Sequence, residues 1–231
     1  MKKLTVYTEA AFAAGLLLLA IGTACMEYGG FGISMVAAPA YVIYLKVSQF
    51  LPGFGFGTAG YLTEALILLC MICIVRKAKL TYLLSFATAV TYGLLLDAVS
   101  LLTVFLPDNT LLLQIPMYIA GTLLCSAAIS LLFRAYFPPA AHEMFVKEVA
   151  ASRKIKITLL KTIYDCALLL IALCLSLIFF GGIQGIGIGT VVCAFINGGL
   201  IRLFTLLTDK IFVFRDGFSV RHRFEEREVS V

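Results

Sequence analysis

TAGYLTEALILLCMIC at 58–73 and LLKTIYDCALLLIALC at 159–174 are the two stretches on which the fold turns. Both are mainly apolar and extend outward to about the 20 residues that cross a hydrocarbon layer, and each carries a carboxylate in its interior. A shift of 101 positions lays one on the other and sets Glu64 on Asp165. Around them the chain of 231 residues is 61% hydrophobic and 13% charged, with a mean hydropathy of +1.03, a balance that a water-exposed surface does not tolerate. Lipid is therefore the solvent of most of this chain, and no room remains for a separate soluble domain of ordinary size.

Further apolar runs put six spans at about 8–28, 58–75, 80–106, 113–133, 157–180 and 186–208, followed by a tail over 209–231. Residues 34–51 are apolar but short, contain Pro39 and Lys46, and lie between the glycine-rich GGFG and PGFGFG; they read as a re-entrant or interfacial segment. With six spans, fifteen of the eighteen Lys and Arg fall on one side, among them Lys2, Lys3, Arg76, Lys77, Lys79, Arg134, Arg153 and Lys210, and the other side keeps Lys46. Cytoplasmic loops carry the basic excess, so both termini are expected in the cytoplasm. A seventh span through 34–51 would throw Arg76, Lys77 and Lys79 outside.

A second match points to duplication: GLLLLAIGTACMEYGGFG from Gly15 falls on GTLLCSAAISLLFRAYFP from Gly121 at an offset of 106. Each half, about 8–106 and about 113–208, reads as span, interfacial segment, span, span within a single membrane domain. Three spans is an odd number, so the second half must enter the membrane from the opposite side. The expected fold is an all-α integral membrane protein of six transmembrane helices, built as two inverted three-helix repeats.

Seven cysteines lie in apolar stretches and read as small core residues without disulfides. Cys70 and Cys73 make a CxxC with no second pair or neighbouring histidine to complete a metal site. The basic start and apolar run at the N-terminus resemble a signal peptide, but without a convincing cleavage site they read as an uncleaved first span. Serine, histidine and aspartate form no hydrolytic set, so neither catalytic residues nor a cofactor are expected and the chain is not read as an enzyme. The net charge of +5 is an orientation signal rather than a nucleic-acid footprint.

Three short motifs carry a family resemblance: Gly30, Phe31, Gly32, Ile33 and Ser34 after the first span, FGTAG before the second, and GIGIGTVVCAFINGGLIRLF in the last. Over about residues 10–208 the chain resembles the YczE/YitT-like family of small bacterial multi-pass membrane proteins. Where that family carries Pro-Trp-Asp after the first glycine turn, this chain has Met35, Val36 and Ala37. The resemblance implies a bacterial inner-membrane location and a transport-related role, and it transfers no catalytic residue.

Ionisable side chains inside spans cost about 2.5–3.5 kcal/mol each on insertion scales and are functional candidates by default. Here they are Glu64, Asp97, Lys161, Asp165 and Arg202. Asp165 and Arg202, opposite in sign and similar in depth, are expected to pair between the fifth and sixth spans. Glu64 and Asp97, alike in sign on consecutive helices, are expected to face an outward cavity where one holds a proton or a cation; the alternative is that either carboxylate pairs with Lys46 or hydrogen-bonds to Tyr61, Thr63 or Tyr92, and the two tyrosines stand with them among the path candidates. Lys161 lies one turn before Asp165 and has the spacing of a pair along the helix. Glu27 reads as a solvated interfacial carboxylate, the glycines at 181–189 as close helix packing, and His142 with Glu143 as part of a cytoplasmic segment. The tail from Arg215 reads as facing lipid headgroups.

The function these residues point to is a small secondary transporter or permease, substrate unknown, with its path between the repeats. Two alternatives stand beside it: a non-transporting membrane sensor or partner-binding protein, and the substrate-binding subunit of an energy-coupling transporter. A mid-depth cavity reached by Glu64 or Asp165 separates the first and third from the second. The expected partners are membrane lipid and an unidentified small molecule or ion, with self-association left open.

Overall fold

The computed structural model describes residues 4–76, 79–103, 105–107, 111–135, 137–138 and 140–215, except the side chains of Leu4, Leu80, Ile157 and Thr158. The expected headgroup-facing tail beyond Arg215, and Lys77 of the first basic loop, lie outside the described residues. Among those described, eight α-helices follow one another: α1 (Thr8–Gly29), α2 (Ala38–Val47), α3 (Phe56–Val75), α4 (Leu80–Thr103), α5 (Leu111–Leu132), α6 (Ala141–Arg153), α7 (Ile157–Phe180) and α8 (Ile188–Ile211). Two short strands, β1 (Leu4–Tyr7) and β2 (Phe212–Arg215), flank them. Six helices, all but α2 and α6, are long and apolar enough to cross a membrane. Their edges differ from the expected spans by a few residues.

The central packing is α1 on α5. Gly15 lies against Leu132 and Ala128, Gly22 against Cys125 and Gly121, and Gly29 against Tyr118 and Gln114. As α1 runs forward its partners run backward, so the two helices are antiparallel. A Cβ at these three glycines, each seven residues from the next, would come within 2.9, 2.7 and 2.8 Å of α5 atoms respectively. Lipid supplies no hydrophobic drive between helices, so it is close van der Waals contact along such a glycine groove that holds the pair. Hydroxyls facing apolar surroundings bond back to their own helix, as Thr23 does to the Leu19 carbonyl at 2.9 Å and Ser126 to that of Thr122 at 2.9 Å.

Flanking this pair, α4 packs on α1 and α8 on α5. The short α2 packs on α3 and α7, and the short α6 on α7, α3 and α4. Helices α3 and α4 pack on each other, whereas no comparable interface joins α7 to α8 among the described residues. Strands β1 and β2 pair in parallel, Leu4 opposite Phe212 and Tyr7 opposite Arg215, so the start of α1 and the end of α8 meet on one face. On this terminal face Arg134 bonds Asp209 at 2.5 Å, and Lys79 pairs with Glu148 at 2.8 Å.

Gly22→Val is expected to destabilise the detergent-solubilised protein by about 1–3 kcal/mol through overpacking of the α1–α5 groove. Gly199→Ala, at an exposed glycine with nothing within 4 Å, is the control and should leave the melting temperature unchanged. Equal melting temperatures for the two variants would dissolve the groove as the fold's fastening.

Candidate functional site

A cavity of about 640 Å³ lies between the long helices and extends from Phe12 and Phe137 near the terminal face to Met26 and Ile33. Its wall includes Ser34, Met35, Val36 and Ala37, ahead of and into the start of α2, and Ala140, His142 and Glu143 at the start of α6. Glu64, Glu143, Lys161 and Asp165 all reach it.

Glu64 is buried, and its Oε2 accepts the N–H of Ala141 at 3.3 Å. It stands eight residues after Phe56, about 12 Å along the axis at 1.5 Å per residue, near the middle of α3. Helix α6 therefore begins at mid-length of α3, where the carboxylate meets one of the N–H groups that a helix start leaves open. His142 and Glu143, read from the sequence as part of a cytoplasmic segment, thus sit on a helix packed into the bundle, with His142 buried. The apolar face of α6 draws it into the bundle, with Ala141, Met144 and Val149 in one cluster with Leu68, Met71 and Tyr82.

His142 Nδ1 lies 2.7 Å from the Tyr164 hydroxyl. Burial first, and the Lys161 charge second, push its pKa down to about 3, so the imidazole is neutral. Burial raises the pKa of Glu143, with Lys161 acting against it. Helix α2 has a matching position: Val36, just ahead of it, packs on the cluster of Val146, Tyr164 and Leu168. Tyr164 is seven residues into α7, about 10 Å from its start, so the start of α2 lies beside the second turn of α7 rather than at its end.

Two expected pairings are not formed. Asp165 bonds Lys161 at 3.0 Å along α7, while Arg202 is exposed on α8, which shares no substantial interface with α7 among the described residues. Asp97 is taken by the first turn of α3: it accepts the N–H groups of Gly57 at 2.5 Å and Thr58 at 2.9 Å and the Thr58 hydroxyl at 2.7 Å. Glu64 lies about two turns further along and faces α6 instead, so the two carboxylates do not share a site. Tyr92 lines the cavity with its hydroxyl 2.9 Å from Thr23 Oγ1, whereas Tyr61 lies against Gly93, outside it. Of the six candidates, then, Glu64, Asp165 and Tyr92 line the cavity, and Asp97, Arg202 and Tyr61 do not.

Glu143 and Lys161 belong to the cavity; sequence reading named Lys161 only as an ionisable residue that pairs along its helix, and left Glu143 in a cytoplasmic segment. The available signal was the proline pair Pro138–Pro139 set ahead of AHEMFVKEV, a chain break followed by a helix with one apolar face. Glu27, expected to be solvated, is half-buried, accepts the Ser100 hydroxyl at 3.2 Å and lines a second, smaller cavity. The glycine run 181–189 is mainly the loop into α8 rather than a helix-packing stripe. Gly181 and Gly185 take positive φ there, and Gly189 donates its N–H to the Phe31 carbonyl at 2.9 Å.

Because native His142 stays neutral while the unfolded residue protonates near 6.5, the unfolded state binds more protons as the pH falls between 6.5 and about 3. That interval should remove native stability at up to about 1.4 kcal/mol per pH unit. Melting temperature measured from pH 7 to pH 5 is expected to fall more steeply in the wild type than in His142→Asn, and equal slopes would show that native His142 takes up the proton freely. No curated protein and no solved structure matches the chain. Residues 6–206 match the model of DUF6198, described as a family of unknown function, and the chain belongs to that family.

Proposed function

We propose that the protein is a small secondary transporter or permease, with two inverted repeats enclosing the central cavity. The observation that carries this reading is the cavity itself, to which the two halves bring Glu64 and Asp165 and the two short helices bring their starts. Exchanging the halves preserves most packings: α1–α4 corresponds to α5–α8, α2–α3 to α6–α7, and α2–α7 to α6–α3. The antiparallel α1–α5 pair then lies on a two-fold axis in the membrane plane, as an inverted repeat requires. In this reading α2 and α6 are re-entrant half-helices, irregular backbone being tolerated at depth where it lines a cavity. The α3–α4 packing has no comparable counterpart between α7 and α8 among the described residues.

Three carboxylates, Glu64, Glu143 and Asp165, face one ammonium, Lys161, with His142 neutral, so the cavity favours a cation or a proton. The basic surplus puts the terminal face in the cytoplasm. The resemblance to YczE/YitT-like proteins fits a bacterial inner membrane. The cavity, extending toward the terminal face, is then an inward-facing state rather than the outward-facing one anticipated from Glu64 and Asp97.

Single cysteines on a cysteine-free background test the topology: a membrane-impermeant thiol reagent on intact cells is expected to label position 46 and to spare 79 and 153. Labelling at 79 or 153 would overturn the orientation. In proteoliposomes, uptake from a labelled metabolite panel is expected to respond to an imposed pH gradient and to fall at least tenfold in Glu64→Gln and in Asp165→Asn. Uptake unaffected by both changes would sink the central cavity as the path.

A further inference from the structure

The second cavity, about 250 Å³, lies towards the face opposite the termini, at the end of α1. Glu27, Tyr41 and Gln184 line it, together with Gly30, Gly32 and Gly185. A carboxylate offers about four acceptor positions, and the Ser100 hydroxyl occupies one of those of Glu27. Tyr41 belongs to an aromatic wall, its ring 5.8 Å from that of Tyr44 and 4.9 Å from that of Phe56. The nearby cation is held elsewhere: Lys46 Nζ donates to the Phe179 carbonyl at 3.3 Å and sits over the rings of Phe50 and Phe180. Neither lysine nor arginine is among the described residues lining this chamber.

A carboxylate beside an aromatic face suits an organic ammonium: the charge meets the carboxylate and the ring quadrupole, and the alkyl groups meet the apolar side chains of Met26, Ile33 and Leu45. Met26 and Ile33, 4% and 2% exposed, line both this chamber and the central cavity and form the partition between them. We propose that the Glu27 chamber is a loading site for a small protonated or quaternary amine, in series with the central cavity and closed from it by Met26 and Ile33. This rests on the transporter reading and gives it a substrate class, since both chambers carry an excess of carboxylates.

The test is calorimetric titration of the full chain in detergent with tetramethylammonium chloride, against sodium chloride at equal ionic strength. Saturable binding of tetramethylammonium is expected in the wild type. It should weaken at least tenfold in Glu27→Gln, be largely restored in Glu27→Asp, and weaken again in Tyr41→Leu, with melting curves confirming that each variant is folded. In proteoliposomes, Ile33→Ala is expected to raise the flux of labelled tetramethylammonium by thinning the partition. A wild type that binds no tetramethylammonium, or a Glu27→Gln protein that binds it like wild type, overturns the loading site. Loss of binding in Glu64→Gln with Glu27→Gln unaffected overturns it too, while leaving the central cavity standing. Glu27-dependent binding without uptake in any variant sinks the transport reading and leaves the site.

Discussion

The structure depends on the close antiparallel approach of α1 and α5. Between two helices in lipid nothing is gained by hiding apolar surface, since the lipid is as apolar as the partner; contact distance is what remains. Gly15, Gly22 and Gly29 bring the backbones together, and Gly121 answers from the other side. With those two helices locked, α4 and α8 lie on either flank, and the remaining elements fill the space around them. The cavity is the volume this arrangement does not fill with side chains.

The second constraint is that backbone N–H groups at helix starts need acceptors where no water is at hand. Intramembrane carboxylates meet that need here to different degrees. Asp97 receives three donors from the first turn of α3 and is consumed as a structural clamp. Glu64 receives the Ala141 N–H and lines the cavity, keeping acceptor capacity towards whatever enters. The two carboxylates differ in how many protein donors each already serves.

Helices α3 and α4 are tied to each other far more closely than α7 and α8 are. Gly57 and Gly93 face each other so closely that a Cβ on either would run into the other's carbonyl, and Asp97 ties the same helices from the side. Helices α7 and α8 have no such clamp; Lys161 satisfies Asp165 within α7, and α8 presents Arg202 outward.

Sequence alone determined the apolar class, the six long helices, the short helix at 38–47 and the candidacy of Glu64, Asp165 and Tyr92, because the length of an apolar run and the cost of a charge in lipid are one-dimensional quantities. Tertiary structure alone decided which way each helix is rotated, and with it every pairing: Asp97 turned to the start of α3 instead of Glu64, Asp165 to Lys161 instead of Arg202, and Glu27 into a chamber rather than solvent. It also drew α6 inward, setting His142 and Glu143 beside the cavity although their local sequence is polar enough for a surface loop. The physical reason is the same throughout. A run that is apolar on all sides does not say which face meets a neighbour, so the partners of its few polar residues are settled only when the helices pack.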